Sequence, residues 1–240
     1  MKKKYSAGKR EREFPLIIKN RKMNVCSLIL NLFLAISTFF CTSYSVLVKI
    51  ETGNMEGGYQ ALRYFTHLSN IYAAVCAVVM VVFCVKNIIN DEYYFPKWAL
   101  VLKHTGTVAI SVTFITVVFF LAPYASALGM GFLFLFEENC FFVHLINPIA
   151  AIVSYLWFER GGDIKLKDSL FGIIPTILYS IVYFIMVVFI GEENGGWPDF
   201  YGFTFGGRMY LVPVVIMGMY LATFAISTIE LHIRRKIGEK

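Results

Sequence analysis

Six apolar stretches, at about residues 23–48, 64–85, 98–122, 141–158, 170–190 and 209–231, constrain what this 240-residue chain can fold into. At ~1.5 Å of rise per helical residue each is long enough to cross a hydrocarbon core of ~30 Å, the fourth being the shortest. The connections at 49–63, 86–97, 123–140, 159–169 and 191–208 leave no room for a soluble domain. The expected fold class is therefore an all-α integral membrane protein. One bundle of six transmembrane helices would span 23–231, between a basic cytoplasmic arm at 1–22 and a cytoplasmic tail at 232–240. The 58% share of hydrophobic side chains agrees, since ordinary soluble domains stay nearer ~45–50%. The first stretch is too long for a signal-peptide core and lacks a small-residue cleavage site, so it is expected to remain as a helix.

The basic residues act as topology signals. Nine Lys and Arg lie in the arm, which is expected to be disordered and to rest on anionic head groups. With Lys86, Lys97, Arg160, Lys165, Lys167 and four in the tail, one side carries eighteen, against only Lys49, Arg63 and Arg208 on the other. Both termini are thus expected in the cytoplasm. Lys103, near the inner end of the third helix, is expected to snorkel. The net charge of +6 has no folded basic domain or RNA-binding motif behind it, so nucleic acid is not an expected partner. Cys26, Cys41, Cys76, Cys84 and Cys140 have no CxxC spacing, which points to neither a disulfide framework nor a zinc site. No repeat or inverted symmetry between halves is visible, which weighs against a secondary transporter.

Two polar interruptions stand out: Thr66 in Tyr64-Phe65-Thr66-His67-Leu68-Ser69-Asn70, and His144 in Val143-His144-Leu145-Ile146-Asn147-Pro148. Each lies near the start of a helix running from outside to inside, so both are expected at similar depth in the outer half of the membrane. Helical spacing groups Thr66, Ser69, Asn70, Ala73 and Ala77 on one stripe, and His144, Asn147, Ala151 and Ser154 on another. The stripes could pack face to face. Alone, each residue has an ordinary explanation: an intramembrane Thr usually bonds its own i−4 carbonyl, and Ser, Asn or His can be interhelical glue. Joint placement favours a site, because ionisable groups at membrane depth are functional candidates by default.

Such a pair has the parts for acyl transfer. His144 could take the Thr66 hydroxyl proton as the oxygen attacks an ester carbonyl, then protonate the departing alcohol. Asn70 or Asn147 could stabilise the oxyanion or orient the imidazole, and Glu137, two turns before His144, is a weaker orienting candidate. Cys140 could instead form a Cys-His nucleophile, although buried thiols are usually inert. His67, about 100° around the helix from Thr66, is expected at the interface or in a loop, and His104 near the opposite, inner side. Four scattered histidines, His232 in the tail included, give no haem case. The apolar, glycine-bounded run within 123–140 is expected to be interfacial or re-entrant, capping the bundle. The Trp197-Pro198-Asp199-Phe200 connection reads as a lid or an aromatic belt.

Phe65-Thr66-x-x-Ser69-Asn70 on the second helix, His144 with Asn147-Pro148 on the fourth, and the Trp197-Pro198-Asp199-Phe200 loop together resemble the androgen-induced and androgen-dependent family of membrane threonine hydrolases. The likeness covers about residues 23–231 and is closest to that family's uncharacterised bacterial relatives. It implies a six-helix bundle in a bacterial cell membrane that hydrolyses fatty acid esters of hydroxy fatty acids, with Thr66 as nucleophile and His144 as base. Ser69-Asn70 and the basic arm depart from the animal members, so the ester need not be the same. The residues alone also admit a non-enzymatic lipid or small-solute binding or transport protein, helix 3 offering Thr105, Thr107, Ser111, Thr113 and Thr116. A membrane lipid acyltransferase is equally open. No metal or soluble cofactor is needed by the hydrolase reading; its partners would be membrane lipids and a fatty-acyl ester.

Overall fold

A computed structural model describes residues 7–47, 58–160 and 164–238, with side chains from residue 20 onward. The described residues are helical, without a strand. Six helices follow in order: α1 (Ala7–Leu47), α2 (Phe65–Ile89), α3 (Lys97–Ala127), α4 (Phe142–Phe158), α5 (Leu166–Ile190) and α6 (Met209–Gly238). Five of these, α1 through its part Asn20–Leu47, are long and apolar enough to cross a membrane; α4 is apolar but shorter. Residues 7–22 of the basic arm continue α1 as helix, where disorder was expected. Residues 1–6, Lys49 and Lys240, which entered the charge count, lie outside the described residues.

Large apolar side chains face outward along every helix, among them Phe40, Val82, Phe119, Leu178 and Leu221. An outer surface of this kind suits lipid, where backbone groups must be satisfied inside each helix. Packing inside relies on small residues. Ala73, Ala77 and Ala151 meet Leu34 and Ile110 in one cluster, so the stripes of α2 and α4 do face each other, with α1 and α3 closing the sides. Gly106 lets α3 lie against α2, since a Cβ there would stand 2.8 Å from Cys76 Sγ and 3.3 Å from Ala73 Cα.

Of four short π-type turns among the described residues, two lie just before a proline, whereas Ser154–Phe158 and Ile185–Ile190 do not. Val117–Leu121 in α3 ends two residues before Pro123, and Phe142–Ile146 in α4 ends two before Pro148. Proline has no N–H to donate and its ring crowds the carbonyl four residues back, which here belongs to Phe119 or His144. Widening the turn relieves that crowding, and such turns recur at functional sites.

Lys103 does not snorkel. It is fully enclosed and donates to Asn31 Oδ1 at 2.6 Å, with Glu159 Oε1 at 3.7 Å. Glu159, expected in a connection, is likewise buried, and accepts from Asn31 Nδ2 (2.6 Å), Ser154 Oγ (2.5 Å) and Ser27 Oγ (3.3 Å). Ser154 thereby leaves the Thr66-facing stripe and joins this cluster. The cluster ties α1, α3 and α4 together, and a buried charge stripped of its partner typically loses about 3–5 kcal/mol. Lys103→Met is therefore expected to destabilise the purified protein by that order, and Lys103→Met with Glu159→Gln to recover most of the loss, as read from thermal unfolding in detergent.

Candidate active site

Thr66, in the first turn of α2, and His144, in the widened first turn of α4, line one cavity of about 180 Å³. Val117 and Leu121, from the widened turn of α3, form another wall, and both long connections reach it: Leu135 from 128–141 and Phe200 and Tyr201 from 191–208. The two turns that precede prolines thus both border the cavity. His144 is buried, whereas Thr66 is only partly so.

His144 Nδ1 lies 2.6 Å from the backbone carbonyl of Leu135. A carbonyl can only accept, so Nδ1 carries the proton and Nε2 keeps its lone pair. The orienting group is thus a main-chain oxygen on the short helical turn Phe132–Phe136. Glu137 does not have that role: it is exposed, outside the cavity wall, and its backbone carbonyl accepts from Cys140. A carbonyl partner nine residues away across a loop has no signature in sequence.

The amides expected at an oxyanion are occupied elsewhere. Asn70 Nδ2 donates to Thr66 O (2.8 Å) and Val143 O (3.0 Å), while its Oδ1 accepts from Asn147 Nδ2 (3.0 Å). Asn147 also reaches Thr38 Oγ1 at 3.3 Å and accepts from Ser37 Oγ at 2.7 Å. With both amide hydrogens engaged, neither is available to a substrate. They clamp α1, α2 and α4, and so hold the two first turns in place. Ser69 supports the same turn, bonding Thr66 O at 3.0 Å and Thr113 Oγ1 at 2.8 Å. These bonds engage only the Thr66 carbonyl. Its hydroxyl has no hydrogen bond among the described residues, so the i−4 bond usual for an intramembrane threonine is not formed.

His67 was expected away from the site and instead lines the same cavity, with Nδ1 buried and without a hydrogen-bond partner among the described residues. At the first turn of a helix, side chains about 100° apart can both border a cavity wider than one residue, a possibility that spacing alone did not reveal. Cys140 borders the cavity as well. Among the described residues no group of three His, Cys, Asp or Glu could hold a metal ion.

The 191–208 connection is built on Asp199. Its Oδ1 accepts from Tyr183 Oη (2.8 Å) and Phe203 N (2.9 Å), and its Oδ2 from Thr204 N (2.8 Å) and Thr204 Oγ1 (2.6 Å). Tyr201 in turn accepts the Phe65 N–H at 3.0 Å, pinning the connection to the start of α2. The Tyr64 and Phe200 rings pack beside it in a tilted contact, their centroids 4.5 Å apart.

The chain matches no family model, no curated protein and no solved structure.

Burial raises the Asp199 carboxyl, but the bonds from Thr204, Tyr183 and Phe203 outweigh it, and the group titrates below the ordinary carboxylate range. A depressed folded value stabilises the connection at every pH above that of the free carboxylate, and the benefit fades as pH falls through the folded value. At neutral pH, Asp199→Asn puts an NH2 against two donors. Amide exchange at Phe203 and Thr204 should then accelerate roughly tenfold, a modest effect because the group is partly exposed.

Proposed function

We propose that this chain is a six-helix integral membrane protein, with both termini cytoplasmic, that hydrolyses lipid esters at Thr66 and His144 near the outer leaflet. The observation that carries the reading is the shared cavity, lined both by a threonine whose hydroxyl has no hydrogen bond among the described residues and by an imidazole with a fixed tautomer. Lipid esters fit because the rest of the wall is chiefly Val117, Leu121, Leu135, Val143 and Phe200. On the other side of the first turn of α2 runs a second, apolar cavity of about 330 Å³, bordered by Phe65, Leu68, Tyr72, Ile174 and Leu178, which suits an acyl chain. A fatty acid ester of a hydroxy fatty acid, the substrate class implied by the family resemblance, has this character.

In the reaction His144 Nε2 takes the proton from Thr66 Oγ1 as that oxygen bonds to the ester carbonyl carbon. The tetrahedral intermediate collapses, the C–O bond to the alcohol breaks, and His144 returns the proton to the leaving oxygen. Water then attacks the acyl-threonine with His144 again as base; the carboxylic acid leaves and Thr66 Oγ1 is reprotonated. With Asn70 and Asn147 occupied, His67, whose buried Nδ1 at the cavity has no hydrogen bond among the described residues, would donate to the oxyanion. A lipid alcohol in place of water would make the same machinery an acyltransferase.

A second reading has its own support. Lys103, His104, Thr105, Thr107, Ser111 and Thr113 are all buried along α3, a density of polar groups at membrane depth that a transported solute or proton could use.

The two readings part on turnover. In nanodiscs with a long-chain fatty acid ester, Thr66→Ala and His144→Ala should each lower hydrolysis by a hundredfold or more, whereas Cys140→Ser should stay within about twofold. Full activity in Thr66→Ala would remove the nucleophile assignment.

A further inference from the structure

A second group of ionisable side chains lies away from the Thr66 cavity, where α3, α5 and α6 meet, and the ester reaction makes no use of it. His104 is fully buried on α3 and Glu230 nearly so on α6. Ser227 Oγ has one hydrogen, and donates it to the Ser169 carbonyl at 2.7 Å. It therefore accepts from His104 Nε2, 2.8 Å away, which puts a proton on Nε2.

That leaves His104 Nδ1 facing Glu230 Oε2 at 3.8 Å, and neither atom has a hydrogen bond among the described residues. Glu230 Oε1 accepts from Ser111 Oγ at 2.6 Å. With no further proton, a lone pair and a carboxylate oxygen would confront each other in a buried site, an arrangement strongly disfavoured away from water. One proton resolves it, whether as carboxylic acid donating to imidazole or as imidazolium beside carboxylate, after an approach of about 1 Å to hydrogen-bonding distance.

The charges packed around the pair decide how firmly that proton is held. From α6, Arg234 donates to the Glu159 carbonyl and lies over the Tyr155 ring at 4.9 Å. From α3, Lys103 faces Asn31 and Glu159; from α5, Asp168 is paired with Lys97 at 2.8 Å. Lys103 and Arg234 against Glu159 and an ionised Glu230 would balance, so the extra proton adds one uncompensated charge. Hydrogen bonding favours its presence and charge balance favours its release, the opposition expected of an exchangeable site rather than a permanently protonated one.

We propose that His104 and Glu230 form a binding site for a single exchangeable proton, located between Nδ1 and Oε2 at the α3–α6 interface. It is independent of the Thr66–His144 assignment. Residues of α3, α5 and α6 surround it and the Tyr155 ring of α4 lies 5.3 Å from that of His104, so gain or loss of the proton changes the packing of four helices.

The site is tested by infrared spectroscopy of the full chain in nanodiscs, alongside 15N spectra of labelled histidine, across pH 5 to 9, a range spanning the unperturbed histidine value. The expected result is one titrating proton: at the acidic end either a protonated-carboxyl band that disappears in Glu230→Gln or a doubly protonated His104, and at the basic end its loss. Glu230→Gln keeps a donor for Nδ1 and an acceptor for Ser111, so it should fold as the wild type does and abolish that transition. His104→Gln should abolish it too. Glu230 ionised and His104 singly protonated throughout, as a bridging water donating to both would produce, overturns the proposal. So does a transition that survives in both variants.

Discussion

A polar group inside an apolar bundle has to find its partner within the protein, and the arrangement of this chain follows from how that demand is met. Three buried asparagine side chains do much of the joining. Asn31 links α1 to Lys103 on α3 and to Ser154 and Glu159 at the end of α4. Asn70 and Asn147 link α2 to α4 and, through Ser37 and Thr38, to α1. An amide offers two donors and an acceptor in a fixed plane, so each sets the rotation of two or three helices at once. Apolar contact with large side chains selects only weakly among those rotations, because the outward and inward surfaces are both largely apolar.

The amide clamp holds Thr66 by its carbonyl, and its hydroxyl has no hydrogen bond among the described residues. Ser69 and Asn70 both bind the Thr66 carbonyl, holding the first turn of α2 from below, while Tyr201 holds the Phe65 N–H from above. The turn is fixed without recruiting its hydroxyl. Across the same cavity lining, Pro148 follows the widened turn that contains His144, and the Leu135 carbonyl sets its ring. Both first turns are thus held by hydrogen bonds that leave the Thr66 hydroxyl and His144 Nε2 to the cavity, the kind of preorganisation that the proposed nucleophile and base would need.

Much of the architecture was legible in the sequence because its physics is local or periodic. Apolar stretch lengths give the helices, and the small-residue stripes of α2 and α4 meet as spacing suggests, at Ala73, Ala77 and Ala151. Partner choice was not legible. Lys103 looked like a snorkelling residue and is instead tied to Glu159, a residue at the end of α4 that its position in the chain assigned to a loop. Asn70 and Asn147 looked like oxyanion donors but donate their hydrogens to other protein groups, and Glu137 looked like an orienter in a place that a backbone carbonyl takes. Each miss concerns which of several polar atoms a side chain reaches, and that depends on helix rotation and loop path. His67 was missed because a helical wheel treats a cavity as a line, although at the first turn of a helix it is wide enough to take neighbouring faces.

The most direct measurement of the central claim is to map the covalent adduct formed when the intact protein in nanodiscs reacts with a lipophilic fluorophosphonate. Peptide mass spectrometry should find the phosphonyl group on Thr66, with labelling abolished in His144→Ala. An adduct on Cys140 or on any residue outside the cavity, or labelling that persists at full extent in Thr66→Ala, would contradict the account.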